Sequence, residues 1–252
     1  MKKFLIMALA AGTFFTSCKK DNDKNGIFKG PEAELYEGKA WTWVELDKEG
    51  KPERVAISID DAAMNSVNPG DGGAGGHDHH NNVVLRFHQK ADATLFKHVW
   101  LNWNPDGHPP AGIYNKPHFD FHYYLVSSGE RETHVDPAKL DASLAADYLP
   151  ANHIGVDPVP TMGKHYVDVT SPELNGQPFT QTLIYGSYDS KLTFIEPMIT
   201  RDFLKNTTNF ERAIPQPAKF QKTGYYPTRM RIAKTGGTTN IILEGFVLRQ
   251  AS

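Results

Sequence analysis

Eight residues, Pro117-His-Phe-Asp-Phe-His-Tyr-Tyr124, alternate polar and aromatic side chains with hardly a break. A helix would scatter the aromatics around its axis. A strand turns successive side chains to opposite faces, so Phe119, Phe121 and Tyr123 share one side and His118, Asp120 and His122 the other. The segment is therefore expected to be a strand with its aromatic face against a core. Its opposite face then carries two imidazoles and a carboxylate.

The rest of the chain agrees with a sheet protein. Short β-rich runs at 40–46, 54–59, 83–88, 95–103, 165–169, 183–188, 192–196, 230–233 and 241–248 are separated by turn residues. The Gly/Pro loop at 47–52 and the Thr-Gly-Gly-Thr-Thr run at 235–239 suit hairpins. This spacing predicts an all-β fold, a β-sandwich or barrel-like, with one short helical insertion. That insertion is placed at 136–148, where Pro137 opens the segment and Leu140, Leu144 and Ala145 share a face. With no repeat or compositional break, residues 31–252 read as a single β-rich domain. One stretch stands apart: residues 68–82 hold five glycines and three histidines in fifteen positions. It has no face to bury, and is expected to be a mobile loop able to collect metal ions.

Composition excludes several classes. Formal charge is −2, so there is no basic footprint for nucleic acid. One cysteine excludes both a disulfide framework and a thiolate zinc site. That cysteine, Cys18, follows Lys2-Lys3, an apolar run and Thr16-Ser17, so residues 1–17 resemble a bacterial lipoprotein signal peptide. Acylated Cys18 would then anchor the chain to the inner or outer membrane of the cell envelope, facing the periplasm or the surface. Residues 18–30 read as a lipidated flexible tether; its twelve residues after Cys18 reach roughly 20 Å.

Candidate chemistry centres on the polar face of 118–124. His118 and His122 lie about 13 Å apart on a flat strand, too far to share one ion unless the strand bends. Otherwise a nearer pair with Asp120 contributes. Partners come from elsewhere: His165 at the start of a strand in Met162-Gly-Lys-His-Tyr-Val-Asp168, Glu196 in an otherwise apolar strand, and His108 in Asp106-Gly-His-Pro-Pro110. A lone buried Glu is costly unless paired or coordinating. Imidazoles with a carboxylate suit a divalent Zn, Mn, Fe or Ni ion. His118, His122, His165, Glu196 and His108 are the expected ligands, with Asp120 as a base or as a group that orients a ligand.

Trp103-Asn-Pro-Asp-Gly-His-Pro-Pro-Ala-Gly-Ile-Tyr114, Pro117-His-Phe-Asp-Phe-His-Tyr-Tyr124, Met162-Gly-Lys-His-Tyr-Val-Asp168 and Phe194-Ile-Glu-Pro-Met-Ile-Thr200 together resemble a family of exported bacterial proteins of unknown function. The resemblance runs from about Tyr36 to Leu248. It implies a β-rich domain able to form homo-oligomers, and assigns no catalytic role.

Two functions remain. One is a metal-binding envelope lipoprotein, catalytic or not. The alternative is a non-catalytic envelope lipoprotein that binds a partner or glycan through Trp41, Trp43, Trp100 and Trp103, with its histidines structural. A Ser-nucleophile hydrolase has no support, because no G-x-S-x-G elbow occurs.

Overall fold

A computed structural model describes residues 25–68 and 82–252. The signal segment and Cys18 lie outside the described residues, as does the Gly/His-rich stretch apart from its end residues Asn68 and Asn82.

The strands in chain order are β1 (Gly26–Leu35), β2 (Gly38–Leu46), β3 (Pro52–Asp60), β4 (Asn82–Arg86) and β5 (His98–Asn104). Next come β6 (His118–Tyr124), β7 (His153–Gly155), β8 (Lys164–Asp168), β9 (Gln181–Tyr188) and β10 (Lys191–Thr200). The last five are β11 (Asn209–Ala213), β12 (Gly224–Tyr226), β13 (Arg229–Thr235), β14 (Thr238–Glu244) and β15 (Val247–Arg249). Helices are short: α1 (Asp61–Ser66), α2 (Ser128–Glu132), α3 (Pro137–Asp141) and α4 (Arg201–Asn206). None among the described residues is long and apolar enough to cross a membrane.

Three antiparallel sheets result. A six-stranded sheet runs β1-β2-β3-β14-β13-β11, a seven-stranded sheet runs β4-β5-β6-β10-β9-β8-β7, and β12 pairs with β15. The two large sheets enclose one core, so the fold is an all-β sandwich. Val44, Val55, Ile57, Ile241 and Leu243 from the first sheet meet Leu101, Phe119, Phe121, Leu183 and Ile195 from the second. Each such side chain contributes about 1.5–3 kcal/mol by leaving water. The aromatic face of β6 is thus turned inward, as its alternation requires. Tyr123 crosses the core: its hydroxyl accepts from the Ile57 amide at 3.2 Å and donates to the Ile241 carbonyl at 2.6 Å.

Three local expectations are corrected. Residues 26–30, assigned to the tether, begin β1 and pair with β2. Phe28 is buried there, and a Cβ at Gly30 would collide with the Arg86 carbonyl and the Thr42 hydroxyl. The helix expected at 136–148 stops at Asp141. Asp136 caps it and Pro137 opens it, but the Leu144 amide donates to the Tyr166 hydroxyl at 2.8 Å instead of continuing a helical ladder. The run at 241–248 is two strands, broken at Gly245, whose φ of +68° turns the chain out of the sheet.

Candidate metal centre

The seven-stranded sheet turns its second face away from the core, and there buried polar side chains sit between two small apolar clusters, one around Phe179, Ile184 and Met198 and one around Tyr124 and Phe194. His118, Asp120, His122 and Tyr124 project from β6, with Asn102 and Asn104 beside them on β5 and Glu196 on β10. β6 and β10 pair from Phe194 opposite Tyr124 to Thr200 opposite His118 in one constant register. That register sets Glu196 across from His122, beside Pro197, which has no amide to donate. β9 then joins β10 to β8, with Gly186 opposite both Phe194 and His165. A Cβ at Gly186 would fall inside the Phe194 ring. Phe194 can therefore lie across β9, its ring 5.0 Å from that of His122 and 5.2 Å from that of His165.

Two groups of three ligand atoms form, each with all atoms within 4.8 Å: His108, His118 and Asp120, and His122, His165 and Glu196. All five expected ligands are present, but in two sets. His118 and His122, expected as ligands of one ion if the strand bends, belong to different sets, in keeping with their span along a strand. Asp120 stands in the first set as an equal member, so its assignment as a base or orienting group behind the ligands is revised. His108 reaches His118 because the loop after β5 folds back, its His108 amide donating to the Tyr114 carbonyl at 3.1 Å. The two imidazoles meet edge to face at 4.7 Å.

The tautomers decide what these groups can do. A carbonyl only accepts, so a ring nitrogen beside one carries the proton. His118 Nδ1 lies 2.6 Å from the Lys116 carbonyl, His108 Nδ1 2.7 Å from that of Pro109, and His165 Nδ1 3.2 Å from that of Gly163. Each of these imidazoles, when neutral, then aims an Nε2 lone pair at a carboxylate. The Nε2 atoms of His118 and His108 lie 3.2 and 3.5 Å from the two Asp120 oxygens. Those of His122 and His165 lie 3.4 and 3.8 Å from the two Glu196 oxygens. His118 Nε2, Asp120 Oδ1, His122 Nε2 and Glu196 Oε2 are buried without a hydrogen bond. Lone pairs facing one another in a dry site repel unless a proton or a cation lies between them. An ion holding N and O ligands at about 2.0–2.2 Å in tetrahedral geometry spaces them roughly 3.3–3.6 Å apart. Two of the observed nitrogen–oxygen separations, 3.4 and 3.5 Å, fall in that range, and the other two, 3.2 and 3.8 Å, lie within about 0.2 Å of it.

The groups differ in charge. Burial opposes ionisation of Asp120, yet the imidazoles of His118 and His108 hold its carboxyl well below the usual carboxylate range. Burial likewise opposes charging of His108, but the Asp120 carboxylate raises its pKa overall. In the first group the ionised form of Asp120 and the protonated form of His108 are thus both favoured. In the second, burial pushes His122 down to about 3 and His165 to about 4. Burial, then the Asp120 charge, raises Glu196 well above its ordinary value. The uncharged forms of all three residues are thus favoured there. A divalent ion takes the carboxylate ionised and the imidazoles neutral, so its binding releases protons.

Neighbours that the motif reading overlooked complete the face. Asn104 donates to Asp120 Oδ2 at 2.7 Å and fixes the carboxylate plane; the alternation Leu-Asn-Trp-Asn on β5 was the available signal. Arg131 is buried beside Trp100. Trp103 is core, whereas Lys29, Arg54 and Arg131 lie over the half-buried Trp41, Trp43 and Trp100. No family model, curated protein or solved structure matches the chain.

Proposed function

We propose that this chain is an exported envelope lipoprotein, anchored through acylated Cys18, whose β-sandwich binds divalent metal ions on the outer face of its seven-stranded sheet. One observation carries the metal reading. Three histidines, each with Nδ1 committed to a backbone carbonyl, direct Nε2 at the oxygens of two buried carboxylates 3.2–3.8 Å away. A hydrogen-bonded outer nitrogen is the usual support of a metal-ligating imidazole. Two imidazoles and one carboxylate per group suit Zn, Mn, Fe or Ni, and leave a coordination position that no described side chain fills. With a water at that position the ion would lower its pKa and prepare a nucleophile. Asp120 electrostatically influences His122, His165 and Glu196, so loading of the two groups is coupled. Elemental analysis of protein purified without chelator or nickel resin tests the proposal. One or two ions per chain are expected, and a content far below one would refute it.

A further inference from the structure

Arg131 is a buried cation that the metal groups do not use. It lies in α2 with its side chain 7% exposed, and its Nε is buried without a hydrogen bond. Its ion pair is to Glu132 Oε1 at 3.6 Å, and Glu132 is itself 66% exposed, which leaves that pair screened. Cation–π contact accounts for one face only: the guanidinium carbon sits 4.0 Å over Trp100 and 6.0 Å from the Tyr124 ring centre. A second donor waits beside it. The Tyr124 hydroxyl is buried and unpartnered, and its ring is held by coplanar stacking on His98 at 4.8 Å. His98 is fixed in turn by its Nδ1 donating to the Val126 carbonyl at 3.0 Å. A buried guanidinium with an unbonded Nε and only an exposed carboxylate near it, beside a buried hydroxyl without an acceptor, makes a donor set for an anion. Trp100 is only half-buried and Glu132 is exposed, so the guanidinium lies just beneath the surface.

We propose that Arg131 and Tyr124 form a binding site for a small carboxylate ligand, bidentate on the guanidinium and accepting from the phenol. A monoanion fits because it neutralises one guanidinium, whereas a phosphate dianion would leave an excess buried charge. The site adjoins the second metal group, since Trp100 packs 5.7 Å from His122 and Tyr124 stacks 5.8 Å from it. A carboxylate held there would sit one ring away from that group. The inference stands on the unpartnered donors and not on the ions, so it is tested in chelator, where failure of the metal proposal cannot affect it.

Thermal melts of the chelated full chain would be followed against sodium acetate, sodium phosphate and sodium chloride at equal ionic strength. Acetate should raise the melting temperature along a saturating curve, and chloride should not. Tyr124→Phe, which keeps the ring and removes only the hydroxyl, should shift the acetate midpoint at least ~10-fold upward, the loss of one hydrogen bond to a charged group. Arg131→Gln should abolish the response. Acetate acting no better than chloride, or both variants responding as wild type does, overturns the site. Phosphate acting as strongly as acetate overturns the carboxylate assignment.

Discussion

Glu196→Gln separates the metal reading from a purely structural one. In the metal-free protein Glu196 is held neutral by burial and by the Asp120 charge, so an amide of the same shape replaces an uncharged acid. The chelated variant should therefore stay within about 1 kcal/mol of wild type, the scale of a single neutral hydrogen bond. The metal-loaded comparison differs. A bound ion stabilises the fold by RT ln(1 + [L]/Kd), about 2.7 kcal/mol at a free concentration ~100 times Kd. For a domain of this size each kcal/mol moves the midpoint by roughly 2–4 °C, so one group contributes about 5–11 °C. Glu196→Gln should lose that increment while keeping the contribution of His108, His118 and Asp120. The assay is a set of four melts, wild type and variant with zinc or with chelator, alongside metal counting after dialysis. The reasoning fails if chelator leaves the wild-type midpoint unmoved, if the variant gains as much from zinc as wild type, or if it is badly destabilised in chelator. The last result would mean that Glu196 is a buried anion paired to imidazolium, the reverse of the charge state argued above.

His165→Ala should leave the fold intact and lower the midpoint chiefly when metal is present; equal losses of about 1–3 kcal/mol with and without chelator would make His165 structural. Chelated protein should be most stable near pH ~6.5. His122 and His165 resist protonation when folded, to about 3 and about 4, while the unfolded chain takes protons up below ~6.5; stability is therefore lost as pH falls beneath that value, by roughly 1.4 kcal/mol per unit for each group. Glu196 keeps its proton in the fold above 4.5, where the unfolded chain releases it, so it offsets part of the two-histidine slope below ~6.5. Beyond ~6.5 that slope ends, and Glu196 with the raised His108 makes stability decline as pH rises. Urea melts across this range check both limbs, and Glu196→Gln should flatten the alkaline one. Cys18→Ala should move the protein from membranes to the soluble fraction; retention through a high-salt wash would show that something other than acylation holds it.

What could be read in advance divides by distance along the chain. The two faces of β6 follow from a period of two, and the span of His118 to His122 already argued against one shared ion. Which ligands meet depends on pairings that no local pattern encodes. Glu196 faces His122 because β10 keeps register through Pro197, and His165 arrives by way of Gly186 on β9. His108 joins His118 through a loop that closes on Tyr114. At α3 the cap and the opening proline were legible. Its end was not, because Tyr166, twenty-two residues beyond Leu144, captures the amide that would have continued it. The start of β1 was hidden by its polar neighbours: only Phe28, and the absence of a side chain at Gly30, betray a paired strand.

The phenol of Tyr123 has a consequence for copying errors in strand alignment. Phe-Asp-Phe-His-Tyr nearly repeats itself every two positions, so β6 could slide by two residues against β5 and β10 and still send aromatics inward. Such a slide would move each polar side chain one place along, putting Asp120 where His122 or His118 belongs and scrambling both triads. The aromatic core alone discriminates weakly between these alignments. Tyr123 does so strongly, because its hydroxyl meets the Ile57 amide and the Ile241 carbonyl in a single alignment, and Phe121 brought to that place would forfeit both hydrogen bonds. A hydroxyl deep in the core thus acts as the proofreader of the opposite face.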